Sequence, residues 1–169
     1  MKIRPAAVED ALRIAVVHVS AWRAAYRGIV PSEYLDGLSV TSRETMWREC
    51  LVKGRPELFV SEATDGVVGF IAFGASRDVD APSGTGEIVA IYVLPSLWST
   101  GVGQGLCSAA HKRLVARGFD RVTLWVLADN ERARRFYDAA GFRPVLEPAR
   151  TIEIGKRALA EVLYEMSLG

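Results

Sequence analysis

The sequence predicts an α/β domain whose sheet mixes strand directions, and three observations carry that expectation. The hydrophobic period changes along the chain from helical to strand-like and back. An Asp65-Gly66 pair joins two apolar runs, the short-range signature of an antiparallel hairpin. The resulting order is strand, helices, three strands, helix, strand, helix, two strands, which a layered sheet with covering helices satisfies.

The elements follow in order. A short apolar strand is expected around Met1–Arg4. Leu12, Ala15, Val19 and Trp22 then recur at helical spacing, with Glu9 and Asp10 in a first turn where the helix dipole favours negative charge. Gly28 and Pro31 break that helix. A helical pair spans roughly Ser32–Leu38 and Ser42–Leu51, with Thr41 or Ser42 as N-cap of the second. The hairpin comes next in "ELFVSEATDGVVGFIAFG", and a polar loop, Ser76–Gly86, leads into "EIVAIYVLP", a buried strand stopped by Pro95. The following helix buries Leu106, Cys107, Ala110 and Leu114 and ends at Gly118. "RVTLWVL" is a strand. The helix after it is capped by Asp129 or Asn130, carries Ala133, Phe136, Tyr137 and Ala140 inward, and ends at Gly141. Two strands close the chain, near Thr151–Ile154 and Glu161–Leu168.

Residues 1–169 are expected to form a single domain, long enough to bury a core. A formal net charge of +1 gives no reason to expect nucleic acid or an anionic membrane surface as partner. Cys50 and Cys107 lack the spacing of a zinc site or a disulfide framework, so no metal is expected and a reducing, cytoplasmic setting fits. Glu9, Asp10, Arg13 and His18 interrupt the N-terminal apolar residues, and no targeting segment or membrane span is expected.

The stretch "LWSTGVGQGL", Leu97 to Leu106, holds three glycines and no charged side chain. A strand feeding a glycine-rich turn that opens a helix is an anion site built from main chain. The first helical N–H groups lack intrahelical partners, and the dipole adds about half a positive charge there. The loop fails as a P-loop, because Gly103 and Gly105 are followed by Gln104 and Leu106 rather than by the Lys-Ser/Thr it needs. It fails as a dinucleotide fingerprint, because Leu106 replaces the last glycine. The alternative to phosphate binding is a tight turn packing a helix onto a sheet.

The flanking residues add a resemblance. "YVLPSLWSTGVGQGL…ADNERARRFYDAAGF" resembles the GNAT superfamily of acetyl-CoA-dependent N-acetyltransferases, closely from Glu87 to Phe142. Trp98 to Gly103 matches its Q/R-x-x-G-x-G/A loop, with Trp98 in place of the usual Gln or Arg. Asn130, Ala133, Phe136, Tyr137, Gly141 and Phe142 match its second motif. The resemblance implies the GNAT fold: a mixed central sheet of about six to seven strands with helices on both faces. Two strands, Glu87–Val93 and Arg121–Leu127, would splay to admit the pantetheine arm. It further implies that Ser99, Thr100, Gly101, Val102, Gly103 and Gln104 receive the pyrophosphate. Ile91, Tyr92 and Val93 would meet the pantetheine through their main chain, joined by Asn130.

Transfer of an acetyl group from a thioester to an amine sets three demands. The amine must be neutral, although an alkylammonium is only roughly one part in 2,500 neutral at pH 7. The thioester oxygen needs a donor, for which the resemblance offers the Val93 N–H. The departing thiolate needs a proton, and Tyr137 matches the family tyrosine that supplies it. Glu87, in "GEIV", stands where the histone-acetyltransferase branch carries its general base in "AEIV", and is the candidate base here. Enzymes of the superfamily that acetylate ribosomal-protein N-termini carry a glutamate where this chain has Trp125, which leaves Glu87 the best carboxylate in view. Trp22 and Tyr26, on one helical row with His18, are candidates for the acceptor wall. Among Arg132, Arg134 and Arg135, one is a candidate for the cofactor's 3′-phosphate, while His111 reads as a surface residue. The expected activity is acetyl transfer to a primary amine, on a small molecule or peptide, by direct attack in a ternary complex. A longer acyl donor and a non-catalytic CoA-binding sensor are the alternatives. "AEVLYEMSL" is apolar enough to allow a homodimer.

Overall fold

A computed structural model describes residues 1–169, the side chain of Pro148 excepted. The described residues form a seven-stranded sheet in the order β1-β2-β3-β4-β5-β7-β6. The strands are β1 (Lys2–Pro5), β2 (Glu57–Ala63), β3 (Gly66–Ala75), β4 (Thr85–Val93), β5 (Arg121–Leu127), β6 (Arg143–Ile154) and β7 (Arg157–Ser167). The helices are α1 (Ala11–Ala25), α2 (Ser32–Asp36), α3 (Val40–Lys53), α4 (Val102–Ala116) and α5 (Glu131–Ala139). Neighbouring strands run antiparallel except β4 and β5, which are parallel. Among the described residues no helix is long and apolar enough to cross a membrane.

Both faces of the sheet are covered because the central strands are apolar on both sides. Ile71 and Phe73 of β3 meet Leu106, Cys107, Ala110 and Leu114 of α4, whose helical spacing puts all four on one stripe. Phe70 and Ala72, the alternate residues of β3, meet Ile14 and Val17 of α1 and Trp47 of α3. A third cluster joins Val19, Val30, Leu35 and Leu38 to Leu127 and Leu159 beside the last hairpin.

Local signals place the helix ends. Asn130 Oδ1 accepts from the Ala133 N–H at 3.2 Å and caps α5. The cap of α3 is Ser39, whose Oγ accepts from the Ser42 N–H at 3.1 Å, so the helix starts before the expected Thr41 or Ser42. Val40 fits inside the first turn because the apolar residue faces α1 and α2 rather than ending the loop. Glu9 and Asp10 lie in a short 3-10 turn preceding α1, where Asp10 accepts from the Ala7 N–H at 2.8 Å and pairs with Arg4 at 2.7 Å.

Two features of the sheet shape the site. At Val89, β4 carries one residue more than β3 opposite it: Phe73 pairs with Ile88 and Ala72 with Ala90. Such a bulge bends the strand that bears it. Strands β4 and β5 accordingly pair only from Thr85 to Glu87, against Arg121 to Thr123, and diverge beyond. The second feature is the β6–β7 hairpin, far longer than the two short strands expected. Its outer residues, such as Arg143 and Arg157, are solvent-facing and interrupt the apolar pattern that marks a strand. It turns at Gly155 and Lys156, both at positive φ as a two-residue hairpin turn requires. A Cβ on Gly155 would stand 2.9 Å from the Tyr34 Cβ, so the tip of the hairpin is seated on α2.

Candidate active site

The loop from β4 to α4 is shaped by backbone. Ser99 has φ 63° and Gly101 φ 92°, and α4 begins at the next residue. The Gly105 N–H donates to the Gly101 carbonyl at 3.0 Å, closing the first turn. The N–H groups of Val102, Gly103 and Gln104 stand ahead of that bond, the orphan donors of a helix start. Gly103 is glycine because Phe136 of α5 lies against it: a Cβ would stand 3.1 Å from the ring. Trp98 turns inward. Its Nε1–H donates to the Val93 carbonyl at 2.9 Å, and the Arg132 guanidinium lies over its ring at 3.2 Å. Burial lowers the Arg132 pKa, yet a guanidinium stays charged at neutral pH.

This loop opens into a cavity of about 760 Å³ that runs between the diverging strands to the far side of the sheet. Ile88 to Val93 form one wall, and Trp125, Val126 and Leu127 the other. At the loop end the lining includes Ser99, Gly101, Gly103, Gln104, Asn130 and Tyr137, with Arg132 and Arg135. At the far end it includes Trp22, Tyr26, Ile152, Ile154 and Glu161. Residues from α1, β4, β5, α5 and the last hairpin thus meet in one space.

Most of the expected site residues converge here. Ile91, Tyr92, Val93, Ser99, Gly101, Gly103, Gln104, Asn130, Tyr137, Trp22 and Tyr26 all line the cavity. Two expected loop residues do not. Thr100 turns its hydroxyl back to donate to the Leu97 carbonyl at 2.7 Å, and the Val102 side chain is buried in the core against Gly69. Tyr137 is buried, with burial the main cause pushing its hydroxyl well above the ordinary phenol range and Cys107 and Tyr92 adding to it. It therefore stays protonated and able to donate.

Glu87 stands apart from the cavity lining. Its carboxylate, 2% exposed, is held on both oxygens by Arg77: Nη2 to Oε1 at 2.6 Å and Nε to Oε2 at 3.0 Å. The Arg77 main-chain N–H also donates to Oε2, at 2.9 Å. The pair sits at the last paired residue before β4 and β5 part, where it ties the β3–β4 loop to the sheet. This differs from a carboxylate facing a bound amine, because the polar loop before β4 supplies an arginine that the strand motif does not announce.

The helical row of α1 divides. Trp22 and Tyr26 meet edge to face at 4.8 Å in the cavity wall, while His18 is buried behind them. The His18 ring stacks on Tyr92 at 5.0 Å, and its Nδ1 accepts from Trp47 Nε1 at 2.9 Å. Burial, aided by Arg43, drops the His18 pKa to about 3, so the ring is neutral. His111 is half-buried beside Phe142 rather than on the surface. Burial pushes the Cys107 thiol up to about 12, which leaves it unreactive.

Three residues that the motifs did not mark, Glu161, Arg150 and Asp78, meet Trp125 at the far end. Glu161 of β7, 9% exposed, accepts from Arg150 Nε at 2.6 Å. Arg150 of β6 lies over the Trp125 ring at 4.1 Å, and Trp125 Nε1 donates to Asp78 at 2.8 Å. The sole sequence signal for Glu161 is a lone carboxylate inside the apolar run "AEVLY".

A family model described as the acetyltransferase (GNAT) family matches residues 20–142. The chain is 33% identical over 168 residues to the uncharacterized N-acetyltransferase YuaI of Bacillus subtilis, covering 99% of this chain and 91% of that one. In fold it is similar to the PaiA N-acetyltransferase of Thermoplasma acidophilum, solved in complex with coenzyme A, at a TM-score of 0.79 and 19% identity over 98% of each chain. It is also similar to YncA of Salmonella typhimurium, a putative acetyltransferase solved with acetyl-CoA, at a TM-score of 0.76 and 22% identity over 100% of this chain and 94% of that one.

Proposed function

This chain belongs to the acetyltransferase (GNAT) family, and we propose that it moves an acetyl group from acetyl-CoA to a primary amine by direct attack in a ternary complex. The observation that carries this reading is the continuous space from the α4 N-terminus, between β4 and β5, to an aromatic chamber on the other side of the sheet. Direct transfer needs such a passage, because donor and acceptor must enter from opposite ends and meet at the reacting carbon.

The loop amides of Val102, Gly103 and Gln104 suit a pyrophosphate, with the helix dipole behind them. Arg132, spread on Trp98, adds a cation where the family pattern carries Gln or Arg at the position of Trp98. The edge of β4 beyond Glu87 has no β5 partner, so its main chain is available to an extended arm carrying amides. Acetyl-CoA supplies an acetyl thioester, whose carbonyl carbon takes the new bond to nitrogen as the bond to sulfur breaks. Tyr137 would give its proton to the departing sulfur and regain one from solvent, while the proton that the attacking nitrogen sheds on becoming an amide passes to solvent water. Glu87, closed by Arg77, fits a fastener for the strand junction better than a base in contact with the amine.

Titration with acetyl-CoA in a calorimeter, with NAD as control, tests the reading. Saturable binding of acetyl-CoA alone is expected. Tyr137→Phe then separates binding from chemistry: acetyl-CoA affinity stays within about twofold, while turnover falls by roughly 10²–10⁴, the span of a lost general acid. Equal turnover in the two proteins overturns the role of Tyr137, and no binding of acetyl-CoA overturns the activity.

A further inference from the structure

The charges that line the cavity are segregated. Arg132 and Arg135 stand at the glycine-loop end, and Glu161, at the far end, is the sole carboxylate among the described residues that line it. Glu161 is paired with protein on one oxygen only, and the other opens to the cavity. Its Oε2 accepts from Arg150, while Oε1 accepts no hydrogen bond from the described residues. Arg150 is itself committed, spread on the Trp125 ring and 3.8 Å from Asp78. Glu161 is also close enough to the hydroxyls of Tyr26 and Tyr92 for its charge to add to the effect of burial in raising both. The chamber around it is walled by Trp22, Tyr26, Trp125, Ile152 and Ile154.

Resting on the acetyl transfer proposed above, we infer that Glu161 is the anchor for the acceptor's ammonium group, and that the acceptor is a primary amine carried on a flat apolar body without an adjacent carboxylate. An ammonium is the species that a half-paired carboxylate among aromatic rings favours, through charge and through the ring faces, and it passes one proton to solvent water before its nitrogen attacks. The apolar walls suit the rest of such a molecule. A carboxylate beside the amine would meet Glu161 with like charge; Arg150 already serves Glu161 and Asp78, Arg77 serves Glu87, and Arg43, 5.8 Å from the Trp22 ring, is not among the lining residues. Burying that second carboxylate unpaired is the penalty that excludes amino acids.

The test uses the full chain with 2-phenylethylamine as probe, phenylalanine as its carboxylated counterpart, and lysine and glutamate as further acceptors. The wild-type protein is expected to acetylate 2-phenylethylamine at a kcat/KM at least tenfold above phenylalanine. In Glu161→Gln, the KM for 2-phenylethylamine rises about 100-fold at pH 7 while acetyl-CoA affinity is unchanged. That KM then falls about tenfold for each pH unit up to the amine pKa, because only the neutral amine still enters; the wild-type KM stays flat over the same range. A structural role for Glu161 moves neither this slope nor the split between the two substrates. An unchanged KM in Glu161→Gln overturns the anchor, and preference for phenylalanine, lysine or glutamate overturns the acceptor class. If Glu161→Gln fails to fold, Arg150→Gln carries the test: freeing Oε2 is expected to lower the KM for 2-phenylethylamine several-fold, and an equal or higher KM overturns the inference. Loss of acetyl-CoA binding by the wild-type chain would instead sink the activity on which the inference rests.

Discussion

The two ends of the cavity are built by different means. The end proposed for the cofactor is main chain: a loop with two positive-φ residues, the first turn of α4, and the edge of β4 left unpaired by β5. The end proposed for the acceptor is side chain: Trp22 of α1, Tyr26 at its C-cap, Trp125 of β5, and three residues from the terminal hairpin. The first design holds any ligand with phosphates and an extended arm, and leaves little room for variation. The second can be altered one side chain at a time without disturbing the first. On the proposed activity, one end would fix the chemistry and the other would select what undergoes it.

Mutations confined to one end should separate the two. The largest effect is expected from Gly101→Val, which puts a β-branched residue at φ 92° with open space around it. The strain is backbone strain alone, of roughly 1–2 kcal/mol or more, and relaxing it re-aims the loop amides. Acetyl-CoA Kd should rise about tenfold or more by calorimetry, with the acceptor KM unmoved; a shift in acceptor KM alone would contradict the division. Trp22→Ala should do the converse, raising acceptor KM several-fold while acetyl-CoA Kd holds within about twofold, since the ring belongs to the chamber wall.

The smallest effect on catalysis concerns stability. His18, neutral in the fold with a pKa near 3, takes a proton in the unfolded chain below about 6.5. Below that pH the unfolded state binds more protons, so stability is full above 6.5 and is lost as pH falls toward 3. Asp10, held low by Arg4, adds its own loss only below the ordinary carboxylate range. Thermal melts of the wild type should fall by a few degrees between pH 6.5 and 5, and His18→Gln should flatten that slope. An equal slope in both would locate the sensitivity elsewhere.

What the sequence disclosed follows the same division. The glycine loop, the Asn130 cap and Tyr137 were legible because their spacing is dictated by one turn of backbone and one helix face, both local. The divergence of β4 from β5 was legible only through a resemblance, and the order of the strands in the sheet was not read from the sequence at all. The bulge that causes the divergence is an extra residue relative to a partner strand, which no single strand reveals. Glu161 was hidden because it shares a space with Trp22 and Trp125 through tertiary packing alone. Glu87 was visible as a motif residue, but its occupant, Arg77, comes from a loop whose course the motif says nothing about.

The single extra residue at Val89 has one more consequence. Strands rise about 3.3 Å per residue, so the stretch from Ile88 to Val93 measures roughly 16 Å from the fork toward the glycine loop. That stretch works as a ruler. Shifting the bulge by two residues toward Val93 would keep the inward and outward faces of the strand and shorten the ruler by roughly 7 Å. On the proposed activity, the position of one surplus residue would set where the thioester comes to rest, and with it the room for longer acyl groups.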